Sequence, residues 1–231
     1  MKFTGGIGMN AERRHSHDQI RSQMLSIVGL GGLMLVVAVL VGRALGVGPV
    51  RDWHESTFAP VVEALQRSDA LVDVSAVVTD MGHLNLNYLM LAALGVAAWL
   101  RHGTDGRAWV IGLAVTALAL RPFQAIVSRL VDGSAPFSPL VVGVAGPYFS
   151  GGVFRVTLIA ALAALVFQRS VRFVVAFAVV AGVVEGVTRL ALGRHWPLDV
   201  VAAIPVGLAV AFVVAQAVEL LAHQLADPDR V

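Results

Sequence analysis

His195 and Asp199 stand four residues apart in the run Thr188-Arg189-Leu190-Ala191-Leu192-Gly193-Arg194-His195-Trp196-Pro197-Leu198-Asp199-Val200. Proline suits the first turn of a helix. A helix starting near Trp196 puts Asp199 in its first turn, where its carboxylate can accept the His195 ring N–H. That bond fixes one tautomer and leaves the other ring nitrogen unprotonated and nucleophilic. Arg189 adds a planar fork of donors suited to phosphate oxygens. The same residues also fit a plainer arrangement, an interfacial histidine and tryptophan belt with an aspartate cap, and spacing alone leaves both open.

The elements that position these residues follow from composition. Of 231 residues, 57% are apolar and 14% charged, against about 45–50% and about 25% in soluble domains. The mean hydropathy is +0.78. A bilayer is the expected solvent. The absence of cysteine excludes disulfide scaffolds, thiolate metal sites and iron–sulfur clusters. Lys2 is the only lysine and no basic run reads as a nucleic-acid patch.

A spanning helix needs about 20 apolar residues. Six stretches approach this: 24–42, 84–100, 108–131, 153–167, 173–192 and 200–218. The breaks at 51–79, 101–107, 132–150, 168–172 and 193–197 have loop compositions. Residues 24–42 start too far in and run too long for a cleavable signal. The expected fold is all-α, a polytopic six-helix membrane bundle. It divides into a tail at 1–23, a membrane domain at 24–223 and a tail at 224–231. With an inside N-terminus, Lys2, Arg13, Arg14, Arg21, Arg101, Arg107, Arg169, Arg172 and Arg230 lie inside, and Arg51, Arg67, Arg189 and Arg194 outside. Cations are retained on the cytoplasmic side, so both termini are expected there. The loops 51–83, 132–150 and 193–197 then share the extracytoplasmic face. Arg43 is expected to reach the interface. Arg121, followed by Pro122, is expected to mark a kink with a charge inside the bundle.

The run from Thr188 to Val200 resembles the third motif of the type-2 phosphatidic acid phosphatase superfamily, which includes lipid phosphatases, polyprenyl diphosphate phosphatases and vanadium haloperoxidases. Thr188, Arg189, His195 and Asp199 fit its SRxxxxxHxxxD motif with Thr for Ser, and His195-Trp196-Pro197-Leu198-Asp199-Val200 is similar to its HYPxDV. The resemblance covers about residues 50–220. It implies that His195 forms a phosphohistidine, that Asp199 orients it, that Arg189 binds phosphate, and that neither metal nor other cofactor takes part. The family's PSGH motif falls on Phe149-Ser150-Gly151-Gly152. Ser150, Gly151 and Gly152 retain backbone N–H groups that cradle an anion at a helix N-terminus, but Gly152 replaces the general-acid histidine. In the first motif, residues 128–137 set against KRLVGRPRPF keep Pro136 and lose two cations, to Ser128 and Ala135.

Arg155, His83 and Arg194 are the candidates to compensate. Arg155 is three residues after Gly152 and so lies one turn deeper on its face; pairing with Glu185 is its structural alternative. Glu185 is also four before Arg189 and so placed to orient it. The missing groups argue for a membrane protein that binds an amphiphilic lipid or polyprenyl phosphate without conventional phosphatase activity, or for a subunit with a membrane-protein partner. The retained Arg189, His195 and Asp199 argue for an active lipid-phosphate phosphohydrolase or phosphotransferase. In either case the expected location is the cell membrane, with the site facing outward.

Overall fold

The computed structural model describes residues 29, 32–33, 35–44, 48–131 and 149–226. Among them the chain is helical, without strands: α1 (Leu35–Ala44), α2 (Gly48–Gln66), α3 (Asp69–Val78), α4 (Leu84–His102), α5 (Gly106–Leu130), α6 (Gly151–Val166), α7 (Val171–Ala191) and α8 (Pro197–Ala226). Single 3₁₀ turns at Thr79–Gly82 and Gly103–Asp105 lead into α4 and α5. The expected tail at 1–23, most of 24–34, the loop 132–148 with Ala135 and Pro136, and residues 227–231 lie outside the described residues.

Four helices, α4, α5, α7 and α8, are long and apolar enough to cross a membrane, and the protein is a multi-pass membrane protein. α6 has sixteen residues, about 24 Å at 1.5 Å per residue, which falls short of about 30 Å of hydrocarbon. Its surroundings explain the difference. Fourteen of the sixteen are buried, because α4, α7 and α8 pack around it. A helix apolar on every side belongs inside a bundle.

Lipid tails are as apolar as leucine, so close packing rather than water exclusion holds such helices together. Small residues supply the contact. Thr157 of α6 sits between Gly182 of α7 and Gly207 of α8. A Cβ on Gly207 would lie 2.8 Å from the Phe154 carbonyl and 3.2 Å from the Leu158 amide, so here α8 meets the backbone of α6 directly.

The bundle has two distinguishable ends. At one, the Ser150 N–H donates to the Asp199 carbonyl (3.2 Å) and the Arg155 guanidinium to the Gly82 carbonyl (2.5 Å). There too Arg43 Nε donates to the Leu130 carbonyl (2.7 Å), closing the last turn of α5. At the other, His102 Nε2 lies 2.9 Å from the Val166 carbonyl, and the Arg101 guanidinium stands 5.6 Å from the Phe167 ring centroid. The described motif residues from Ser150 to Gly152 and from Thr188 to Asp199 belong to the first end.

Two expectations change. Residues 51–79, expected as loop, are mainly helical. α2 lacks a long apolar run, and α3 is capped by Ser68, whose hydroxyl accepts the Leu71 N–H (3.4 Å). Arg121, expected inside the bundle, is exposed on α5, which continues through Pro122. A long arginine stem can carry its charge along the apolar surface toward water, so the bundle does not have to bury it.

Gly207→Ala is expected to lower the thermal unfolding midpoint in detergent micelles, since overpacking against rigid backbone costs about 1–3 kcal/mol. Gly95→Ala is expected to leave the midpoint unchanged or raised, because nothing lies within 4 Å of that position.

Candidate functional site

Gly193 makes the turn that delivers His195. Its φ of +65° is a left-handed conformation that glycine adopts without a Cβ clash. The Gly193 N–H donates to the Leu190 carbonyl (2.9 Å) and the Arg194 N–H to the Arg189 carbonyl (3.0 Å), the bond pair of a Schellman C-terminus. α7 therefore stops abruptly, and α8 begins at Pro197 after four intervening residues beyond the Leu192 cap.

Asp199 works on both sides of that second start. Its Oδ2 accepts the Trp196 N–H at 3.0 Å, closing the first turn of α8 from the third helical position, as the acidic residue of a capping box does. The same oxygen lies 3.5 Å from His195 Nδ1. That separation is longer than a formed hydrogen bond, and Nδ1 is buried with no other partner among the described residues. Unliganded catalytic pairs are often this loose and tighten around a ligand. His195 and Asp199 are 4% and 8% exposed, so the pair is shielded from water.

Arg189 and Glu185, one turn apart on α7, form a buried ion pair. Arg189 Nε and Nη2 lie 2.7 and 2.6 Å from Glu185 Oε1, and Nη2 also donates to the Thr79 carbonyl at 3.0 Å. Glycines bracket the pair. A Cβ on Gly152 would lie 2.7 Å from Arg189 Cζ and 2.8 Å from its Nε, and one on Gly82 would overlap both Arg189 Nη2 and Glu185 Oε1. The guanidinium thus occupies the space that a side chain at position 152 would enter. Gly152 is what allows Arg189 to reach this place.

Ser150, Gly151 and Gly152 open α6 beside these groups, although the Ser150 N–H is taken by the Asp199 carbonyl. Helix first-turn amides lack intrahelical acceptors, and Ser150 makes no side-chain cap bond, so the amides of Gly151, Gly152 and Val153 are left without one. The Ser150 hydroxyl is buried without a partner among the described residues.

The three candidate compensators separate. Arg155 does not pair with Glu185. Its Nε donates to Asn87 Oδ1 (2.7 Å), with further bonds to Gln124 Oε1 and the Gly82 carbonyl, so neutral acceptors from α4, α5 and the 3₁₀ turn hold it. Gly82, Asn87 and Gln124 were not singled out by sequence, because nothing in their local pattern marks residues that serve a cation on another helix. His83 is exposed, with Nδ1 3.6 Å from exposed Asp80; it borders the site only through its neighbour Gly82. Arg194 is half-buried beside His195, and its Nε has no partner among the described residues. Burial, and then the nearby Arg189, hold its guanidinium below its ordinary pKa, yet arginine remains a cation near neutrality. Among the described residues no group of three metal-ligating side chains occurs.

Gly152→His, which writes the general-acid histidine back into its motif position, is expected to displace Arg189. The thermal midpoint in micelles should fall, and phosphate release from a lipid phosphate should stay at or below the wild-type rate.

No protein-family model and no curated protein matches the sequence. A solved structure does: the first transmembrane PAP2-type phosphatidylglycerolphosphate phosphatase from Bacillus subtilis. It superposes with a TM-score of 0.62 at 19% identity, over 80% of this chain and 93% of that one. The fold is therefore that of the type-2 phosphatidic acid phosphatases, the group that the Thr188 to Asp199 motif resembles.

Proposed function

We propose that the protein binds the phosphate group of an amphiphilic membrane lipid, a phospholipid or polyprenyl phosphate, and transfers the phosphoryl group to His195 before water releases it. The observation that carries this reading is a charge excess. Among the described residues two buried carboxylates, Glu185 and Asp199, stand against buried Arg155 and Arg189 and half-buried Arg194, and the third carboxylate near Arg194, Asp80, is exposed to water. Uncompensated charge is costly away from water, and an anion beside the Gly151 and Gly152 amides would relieve it. Arg194 replaces in function the cations lost at Ser128 and Ala135.

In this mechanism Asp199 holds His195 in the tautomer with a proton on Nδ1, and Nε2 attacks phosphorus in line with the leaving oxygen. Arg189, Arg194 and the two amides stabilise the charge that gathers on the equatorial oxygens. The chain crosses the cell membrane six times, with 24–223 as the membrane domain, tails at 1–23 and 224–231 in the cytoplasm, and the site on the extracytoplasmic face. That orientation rests on the arginine distribution.

One observation favours a second reading. Arg189 is already satisfied by Glu185 and Thr79, as a retired site serving only to bind a headgroup or a membrane-protein partner would allow.

The test is phosphate release by purified protein from a panel of lipid phosphates. His195→Ala is expected to lower release by at least about 10³-fold and to abolish any phosphoenzyme. Asp199→Asn keeps an acceptor for Trp196 and should cost about 10²–10⁴ in rate with little loss of stability. Arg194→Ala should weaken phosphate binding roughly 10- to 100-fold, the worth of one charge-assisted bond. Absence of turnover by wild type, with headgroup binding weakened by Arg189→Ala, would replace the catalytic reading with the second.

A further inference from the structure

A phosphate ester with an alkoxide leaving group needs a proton donor, and Gly152 has no side chain to supply one. We propose that Glu185 is the general acid of this site. The inference rests on the phosphohistidine reading above and assigns the proton that reading leaves without a source.

Three observations point to this carboxyl. The first is place. The position where a Gly82 Cβ would sit is 3.0 Å from the Gly152 Cα and overlaps Glu185 Oε1, so the carboxyl stands against the helix start whose amides would hold the phosphate. The second is its unequal oxygens. Glu185 is 1% exposed; Oε1 accepts from Arg189, while Oε2 is buried with no hydrogen-bond partner among the described residues. A buried acceptor without a donor is costly, whereas a protonated Oε2 becomes a donor with a proton to give.

The third is the lack of a rival among the described residues. Asp199 is committed to Trp196 and His195, and Asp80 and His83 are exposed and face one another. The cations nearest Glu185 are Arg189 on its own helix, Arg155 on α6 and Arg194 in the α7–α8 turn, and none of them gives up a proton near neutrality.

The same ion pair supplies the trigger. A phosphate competes with the carboxylate for the Arg189 donors. Two anions crowded into one buried site cannot both stay charged at low cost, so Glu185 takes up a proton as the phosphate arrives. When His195 Nε2 forms its bond to phosphorus, the bond from phosphorus to the alkyl oxygen breaks with its electron pair on oxygen. The Glu185 proton moves to that oxygen and the alcohol departs. In the second half, the Glu185 carboxylate takes a proton from the attacking water. The bond from nitrogen to phosphorus returns its electrons to His195, and inorganic phosphate leaves.

The leaving group provides the test, because p-nitrophenolate departs without a proton and a lipid alkoxide does not. Full-length protein in micelles is assayed with dioctanoyl phosphatidate and with p-nitrophenyl phosphate. Glu185→Gln is expected to lose about 10²–10⁴ in rate on the lipid and less than about tenfold on the aryl ester. Glu185→Asp keeps the proton but sets it one bond further back, so its loss should again fall on the lipid, less steeply than with Gln, while the aryl ester is nearly unaffected, and it carries the test if the Gln variant does not assemble. An equal loss on both substrates in either variant would make Glu185 a mere support for Arg189 and overturn the acid role alone. Wild type inert on both would overturn the phosphotransfer reading and this inference with it.

Discussion

Arg189 imposes conditions that the surrounding chain must meet. Its guanidinium cannot shed its charge, and it is 6% exposed, so each donor it presents inward needs an acceptor. Glu185 stands one turn back on the same helix and supplies the counter-charge, and the Thr79 carbonyl supplies another acceptor. The pair also needs width, which comes from glycine on both sides, at Gly82 and Gly152. A buried pair of this kind contributes little net stability, yet removal of one partner strands the other at about 3–5 kcal/mol. The pair therefore acts chiefly as a constraint on geometry: it holds the start of α6, the turn before α4 and the end of α7 at one level.

From that level the turn that carries His195 follows. α7 must end within a turn of Arg189 for His195 and the start of α8 to return at this end of the bundle, and Gly193 does this with a left-handed residue and two carbonyl closures. α8 must then start at once, and Pro197 with the Asp199 cap achieves it. Asp199 consequently has two tasks that cannot be separated by position: it ends the turn and it faces His195. The Ser150 bond to the Asp199 carbonyl ties the amide cradle to the same carboxylate-bearing residue. A displacement of the α6 start would thus reach the histidine through one residue.

The sequence is legible where function and local structure coincide. Gly193, Pro197 and Asp199 are conspicuous because turn and cap chemistry act within a few residues, and four of the six apolar stretches correspond to helices of spanning length. The reach of α6 is legible as apolarity but not its burial, since an apolar run is the same whether it faces lipid or other helices. α2 was hidden because a half-polar helix carries no long hydrophobic signal, and α3 because ten residues are too few to read as a span. Arg155 was visible as a misplaced charge, but its acceptors on Asn87 and Gln124 were not, because 68 and 31 residues of chain separate them from it. The general rule that intramembrane charges face the interior failed for Arg121, whose stem is long enough to carry the charge elsewhere.

Gly152 changes meaning most between sequence and structure. As a letter in a motif it is a deletion, the loss of an imidazole. In space it is occupied ground: the Arg189 guanidinium lies against its Cα, so a histidine and this arginine position exclude each other. An ion pair and an imidazole both bring a transferable proton and a cation to a phosphate, but the pair couples them, since whatever binds the arginine releases the carboxyl. A site built this way has no free acid until its anion arrives, and it needs α7 alone, rather than α6 and α7 together, to carry both groups. The two glycines are what that economy of placement requires.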